Sequence, residues 1–197
     1  MKKVLLIYVV LIAAIAIWWL VAEQEWSHDG DKEPKEKALA VSKHSREFNN
    51  SIEKIMDAYH STTENFVKED EGAINQNANG LKTALEGLNL DELRKDTSGI
   101  YETAVSFADI TKGSLQQMID DMGLDAKRKS FKEFSDNLYT LLNTIHYDSG
   151  GLYWMECATA FGEGSSGYWL SKEEKSENPY GQKGCGTVKK TMNIPKK

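Results

Sequence analysis

Clusters of basic residues are missing from this chain of 197 residues. Lys and Arg number 24 against 30 Asp and Glu, which gives a formal net charge of −6 at pH 7. Without Lys2 and Lys3 at the N-terminus, 22 basic residues remain against the same 30 acidic ones. Binding to a phosphate backbone requires concentrated Lys and Arg. We therefore expect no nucleic acid partner, and the acidity is typical of a solvated surface.

The patterns of common catalytic sites are also missing. The sequence contains no G-x-S-x-G, H-E-x-x-H or P-loop pattern. Residues 162–167, GEGSSG, match G-x-G-x-x-G literally. The dinucleotide motif needs a helix directly after those glycines and an alternating βα pattern around them, and neither is present. The pattern predicts a flexible turn, and we expect no enzymatic activity.

Charge is absent from residues 4–22, VLLIYVVLIAAIAIWWLVA. As a helix this run spans roughly 28 Å, close to the hydrocarbon thickness of a bilayer. It is longer than the apolar region of a typical signal peptide. Cleavage after Ala22 would also place the bulky Leu20 at the −3 position, where a small residue is preferred. The run predicts a single-pass anchor in the inner membrane, with Lys2 and Lys3 inside and the soluble domain in the periplasm. A cleaved signal peptide is the open alternative and leads to the same compartment.

Helical spacing dominates the middle of the chain. Residues 23–42 are charged and poorly periodic, which predicts a tether, whereas apolar residues recur at helical spacing through residues 43–148. The pattern predicts a first helix around Ile52–Tyr59, a second over 71–86, a third over 91–122 and a fourth over 131–145. Asp91 is the expected N-cap of the third helix, and Gly123 its expected end. Four amphipathic helices with short connections are typical of an up-down bundle.

Helical periodicity ends before residues 149–197, where glycines and aromatic residues increase. Three short strands are expected there, at Tyr153–Cys157, Gly167–Leu170 and Gly186–Lys189. Such a segment is too small for a core of its own and must pack on the bundle or be held by a covalent bond. The predicted fold is therefore mainly α: a membrane helix, then a four-helix up-down bundle with a small C-terminal β/loop cap.

Cysteine is scarce, since only Cys157 and Cys185 are present. In an oxidising compartment such a pair most simply forms a disulfide. The alternative is a soft-metal site, because thiolates and thioethers select Cu(I) over harder ions. Met155 would lie on the same strand face as Cys157, and His146 ends the fourth predicted helix. Both interpretations of the two cysteines are open at this point.

The C-terminal motifs resemble those of a known family. In order along the chain they are YWMEC at 153–157, AF at 160–161, YWLS at 168–171, NPYG at 178–181 and CG at 185–186. This order is similar to Y-x-x-C-P-M-A, W-L-S, N-P-Y-x-G and M-x-x-C-G in a bacterial envelope domain of unknown function. That domain is found alone or fused to heavy-metal efflux adaptor proteins. The resemblance covers roughly residues 45–190 and implies a helical fold.

The resemblance also implies a soft-metal site, with copper as the candidate cofactor. Carried over to this chain, the implied ligands are Cys157 and Cys185, joined by Met155 and His146. The family's two methionines have no counterpart, because Ala158 and Thr159 follow the first cysteine and no Met precedes the second. The implied function is a membrane-anchored periplasmic accessory module that passes metal to an efflux adaptor.

A second hypothesis is a structural interaction module without metal. In it Cys157 and Cys185 are bridged, and four aromatic residues form a surface for a protein partner in the envelope. Tyr and Trp suit that role because they bury a large area with little loss of rotamer freedom. The four residues are Tyr153, Trp154, Tyr168 and Trp169.

Overall fold

The computed structural model describes residues 44–193. The predicted anchor at 4–22 and tether at 23–42 lie outside those residues. Within residues 44–193, no helix has both the length and the apolar character needed to cross a bilayer.

Four α-helices form the body of the protein, as predicted. Consecutive helices pack on one another, and α1 and α4 also meet, since the ring centroids of Phe66 and Phe131 lie 4.6 Å apart. Their bounds are Arg46–Lys68 for α1, Glu71–Glu86 for α2, Ile100–Asp120 for α3 and Leu124–Thr144 for α4.

Two side-chain caps fix the first helical hairpin. Ser45 accepts a hydrogen bond from the Phe48 N–H at the start of α1, and Asp70 accepts one from the Ala73 N–H at the start of α2. Between them Glu69 adopts a left-handed conformation with φ 59°, which ends α1 and reverses the chain. The second predicted helix, 71–86, is confirmed to the residue.

The third α-helix begins later than the sequence pattern predicts. Asp91 does not cap an α-helix: it opens a short 3₁₀ helix, Asp91–Lys95, and α3 starts only after Gly99. The Asp96 side chain accepts a hydrogen bond from the Ser98 N–H, and Gly99 is left-handed with φ 81°. This local bonding competes with the helix and interrupts it. Gly123, expected to end this helix, instead precedes the first residue of α4.

A three-stranded antiparallel sheet follows, in the order β2-β1-β3, and it confirms the three predicted strands. Glu156 joins all three: its carboxylate accepts hydrogen bonds from Lys189 Nζ of β3 at 2.9 Å and from the Tyr168 hydroxyl of β2 at 2.8 Å. These bonds, with Lys189 the stronger cause, lower the pKa of Glu156. The strand bounds are Leu152–Cys157 for β1, Gly167–Ser171 for β2 and Thr187–Met192 for β3.

Tyr59 of α1 joins the sheet to the bundle. Its hydroxyl accepts a hydrogen bond from the Leu170 N–H at 3.0 Å and lies 2.8 Å from Ser135 Oγ of α4. Burial raises the pKa of Tyr59 well above its ordinary value, so the hydroxyl keeps its proton and can donate it to Ser135. Sheet and helices therefore share one continuous core, and the cap needs no core of its own.

Candidate functional site

A disulfide joins Cys157 and Cys185, as the simplest interpretation of the sequence predicted. The S–S distance is 2.07 Å and the two Cα atoms are 5.2 Å apart. Cys157 ends β1 and is fully buried, whereas Cys185 lies in the turn before β3 and is partly exposed. The bond fastens residues 172–186, which we call the β2–β3 loop, to the end of the central strand.

The other two residues proposed as metal ligands lie in different surroundings. Met155 is 1% exposed and pairs in the sheet with Trp169 and Val188. His146 is exposed just after α4, where it contributes, after the hydrogen bonds from Ser98, to the lowered pKa of Asp96. Among residues 44–193, no three His, Cys, Asp or Glu side chains come together as a metal ion would require. Copper binding stays a prediction, and it would require the cysteines to be reduced.

The aromatic residues proposed as a partner surface divide into two groups. Trp169 is 0% exposed and Trp154 is 7% exposed, so both belong to the core. Trp154 stacks between Tyr139 and Tyr168, with ring centroids 4.3 and 5.6 Å away. Only Tyr168 and Tyr153 are half-buried. The two indole rings are therefore not accessible to a partner. Their large apolar area is buried where the small cap packs on the bundle.

A groove runs along α1 where the helix faces the β2–β3 loop. One cleft of about 680 Å³ lies beside the middle of α1, and a second of about 870 Å³ lies beside its end and reaches Cys185. The two clefts are adjacent, and together we call them the α1 groove. The residues shared by both clefts are Val67, Lys68, Lys175, Ser176 and Glu177.

The α1 groove carries both signs of charge. In its first cleft Lys172 forms an ion pair with Asp57 at 2.7 Å, which links the loop to α1. The second cleft is lined by three lysines and three glutamates, so neither sign dominates there. These six residues are Lys68, Lys175, Lys183, Glu69, Glu174 and Glu177.

His60 lines the first cleft with an imidazole that is neutral at physiological pH. Its Nε2 atom is buried and has no hydrogen-bond partner among residues 44–193. Burial, with the nearby charge of Lys172, lowers the pKa of His60 to about 4, and Asp57 and Glu64 only partly oppose this effect. The His60 ring is therefore half-buried and lies near charged residues of both signs.

His60 makes the stability of the domain sensitive to mild acid. The folded pKa of about 4 lies below the ordinary value of 6.5, so the unfolded chain binds the proton more readily between these values. Stability is then highest above pH 6.5 and falls as the pH falls towards 4. Between about pH 7.5 and pH 5 we expect a loss of up to about 2 kcal/mol. Urea unfolding at several pH values measures it.

A matched pair of variants isolates that contribution. His60→Gln removes the titrating group and should flatten the pH dependence across this window. Ser61→Ala changes the exposed, non-titrating residue next to His60 and should keep the wild-type pH dependence. If the free energy of unfolding changes equally with pH in the wild type and in His60→Gln, His60 is not the cause of the pH dependence.

Arg128 of α4 holds the floor of the groove in place. Its side chain is about 10% exposed, its Nε donates to the Pro179 carbonyl at 3.2 Å, and its Nη2 donates to Glu69 Oε1 at 2.8 Å. Gly181 lies directly over the guanidinium, because a Cβ there would be 2.9 Å from Nη2. Asn178 shapes the same turn by accepting a hydrogen bond from the Tyr180 N–H at 2.8 Å. The N-P-Y-G stretch therefore docks the β2–β3 loop on the bundle.

Replacing Gly181 by alanine tests this docking. Gly181 has φ 88°, and an added Cβ meets the buried guanidinium, so we expect the free energy of unfolding to fall by about 2–3 kcal/mol. Gly184→Ala is the matched control, since Gly184 has φ 75° but open space around it. That variant should lose only about 1 kcal/mol. Chemical denaturation measures both, and equal losses would show that the contact with Arg128 is unimportant.

Comparison with protein families identifies part of the bundle. Residues 55–150 match the model of the family described as a protein of unknown function, DUF3347. The matched stretch is just under half of the chain, and it ends before Cys157 and Cys185. The match supports the resemblance for the helical part, without a link to copper efflux adaptors. No curated protein and no solved structure matches the chain.

Several residues that build the groove cannot be recognised from the sequence. Arg128 lies in an ordinary charged stretch of α4, and its contacts with Pro179 and Glu69 join residues far apart in sequence. His60 is half-buried, and its position in the sequence does not indicate the cleft that it lines. The N-P-Y-G stretch was the one visible signal for this region, and only the structure shows that it docks a loop.

Proposed function

We propose that this chain is a membrane-anchored envelope module that binds a protein partner through the α1 groove and performs no catalysis. In this proposal residues 4–22 anchor the chain in the inner membrane and the domain lies in the periplasm. The observation that carries the proposal is the disulfide between Cys157 and Cys185, which fixes one wall of the groove. The resemblance makes a metal-efflux adaptor one candidate partner.

The shape and chemistry of the groove support a protein ligand. Its two clefts, of about 680 and 870 Å³, lie side by side along the C-terminal half of α1 and share five lining residues. Its mixture of lysines and glutamates suits an extended segment that carries both charges, rather than a purely anionic or cationic ligand. Arg128 and the disulfide hold the β2–β3 loop at two points, so a ligand would meet a wall that is already ordered.

The same bond supports the proposed compartment. Disulfides persist in oxidising surroundings and are rare in the cytosol. The uncharged run at residues 4–22 supplies a route to the periplasm. Both observations favour an extracytoplasmic domain, and they are independent of each other.

Soft-metal binding by a reduced form is the second candidate function. The observation in its favour is that the two sulfur atoms are already within bonding distance, with Met155 two residues from Cys157. Reduction would provide two thiolates, the ligands that Cu(I) prefers. His146 would have to approach from the end of α4 to complete the predicted set.

Thiol counting followed by a copper titration separates the two candidates. Protein purified from the envelope without reductant should show no reactive thiol, even when unfolded, and two thiols after reduction. The untreated protein should not compete with a chelator for Cu(I). Two reactive thiols in the untreated protein together with tight Cu(I) binding would replace the interaction module with the metal-binding function.

Site-specific cross-linking tests the groove as the partner surface. A photoreactive amino acid at Lys175, which lines both clefts, should give a discrete cross-linked product in intact cells. The same group at Gln117, an exposed residue of α3 outside both clefts, serves as the control. Identical products at both positions, or none at Lys175, would contradict binding in the groove.

A further inference from the structure

We propose that Cys185 is the sulfur at which a thiol of a dithiol reductant attacks the disulfide, so that the mixed disulfide forms on Cys185 and Cys157 is released. The inference goes beyond partner binding in the α1 groove. It rests on the disulfide and on the unequal surroundings of its two sulfur atoms, whatever the groove binds.

The two cysteines differ in access. Cys157 is 0% exposed at the end of the central strand, whereas Cys185 is partly exposed and lines the cleft of about 870 Å³. Which sulfur a thiolate attacks depends on access as well as on reactivity. An approaching thiol can therefore reach Cys185 from the groove and has no comparable path to Cys157.

Gln182 adds to the protection of Cys157. Its Oε1 lies 3.5 Å from the Cys157 Sγ, and the same atom accepts a hydrogen bond from the Thr159 hydroxyl at 2.9 Å. The Gln182 amide also donates to the Thr159 carbonyl. These bonds hold the Gln182 side chain in contact with the buried sulfur.

The surroundings of Cys185 leave room for the backbone of a partner. Gly184 and Gly186 flank it, and both are exposed. A Cβ added at Gly184 would meet no atom within 4 Å. Steric access is therefore open on the side away from Gly186, whose backbone packs on the Trp169 ring.

The exchange has two balanced steps. A partner thiolate attacks the Cys185 Sγ, a new S–S bond forms, and the Cys157–Cys185 bond breaks. The electron pair of the broken bond leaves on Cys157 Sγ, which takes up a proton. The second thiolate of the partner then attacks the partner's own sulfur in the mixed disulfide. The partner closes its disulfide, Cys185 leaves as a thiolate and takes up a proton, and the domain is reduced by two electrons.

Glutathione is a suitable probe because it has one thiol, so a limiting amount followed by a rapid acid quench traps the mixed disulfide of the first step. Fully oxidised, folded protein is treated briefly with limiting glutathione, quenched with acid and alkylated with a maleimide. Peptide mass spectrometry then locates both groups. Glutathione on Cys185 with maleimide on Cys157 should exceed the reverse pattern by at least about tenfold. Equal amounts, or an excess on Cys157, would overturn the proposal.

Unfolding provides the control. In concentrated guanidinium, with the disulfide intact, the two sulfur atoms become similarly accessible and the ratio should fall to about one. A tenfold ratio that survives unfolding would show that the preference does not come from the fold. Because the starting protein is oxidised deliberately, the result is independent of the thiol state in the cell and of the proposed partner.

A second measurement uses single-cysteine variants. The Cys185 thiol in Cys157→Ala should react with an aromatic disulfide reagent at least about ten times faster than the Cys157 thiol in Cys185→Ala. Equal rates in variants that remain folded would contradict the proposal. If either variant fails to fold, the glutathione pattern on the wild-type protein decides the question.

Discussion

Replacing Cys157 and Cys185 together by alanine is expected to lower the free energy of unfolding by about 3–4 kcal/mol. The two cysteines are 28 residues apart in sequence, and the closed ring includes all of β2 and the β2–β3 loop up to Cys185. Without the disulfide the unfolded chain gains conformational entropy, because its loop is no longer closed. The folded chain keeps most of its contacts. Alanine is preferred to serine at Cys157 because that position is fully buried. Guanidinium unfolding, followed by tryptophan fluorescence, measures the loss.

Reduction supplies the internal control for this prediction. Wild-type protein in excess reductant should lose about the same stability as the double variant, and the double variant should not respond to reductant. A change below about 1 kcal/mol in both experiments would mean that packing alone holds the cap. Hydrogen exchange should also show the loss concentrated in residues 172–192, since the helices keep their own packing.

Replacing Trp169 by alanine is expected to lower the free energy of unfolding by about 3–5 kcal/mol. The side chain is fully buried, meets the Tyr180 ring edge-on at 6.0 Å, and donates from Nε1 to Ser176 Oγ at 3.2 Å. Alanine would leave a large cavity between the sheet and the β2–β3 loop. It would also remove the surface on which the Gly186 backbone packs. Chemical denaturation again provides the measurement.

Two further variants calibrate the Trp169 result. Trp169→Phe keeps an aromatic ring but loses the hydrogen bond and part of the area, so we expect about half the effect. Met122→Ala removes a side chain that is 89% exposed and should change stability by less than about 0.5 kcal/mol. A loss below about 1.5 kcal/mol for Trp169→Ala would show that this ring does not anchor the cap.

The helices and strands were largely predictable because their signals are local. The α2 boundaries follow from Asp70 as an N-cap and from the break after Glu86, both visible in the sequence. The break before α3 escaped prediction because Asp96, Ser98 and Gly99 form a small hydrogen-bonded turn within a helical pattern. Residue types alone do not show whether such a turn or the helix is favoured.

The site was less predictable because its contacts are tertiary. A Trp in a small β segment is equally compatible with a binding surface and with a core, and Trp154 and Trp169 both proved to be buried. A charged residue on a helix usually points into water. Arg128 instead packs under a loop that follows it by more than fifty residues in the sequence. The pairing of Cys157 with Cys185 was predictable only because no third cysteine competes.

The position of β3 has a consequence for the protein at high concentration. This strand lies at the outer edge of the sheet, and within residues 44–193 no other strand pairs with its far side. Five of its six residues are exposed, among them Lys189 and Lys190. An uncovered edge of this kind invites main-chain pairing between copies, and adjacent positive charges make that pairing unfavourable. Lys190, on this open edge, is the kind of charged residue that disfavours edge-to-edge association.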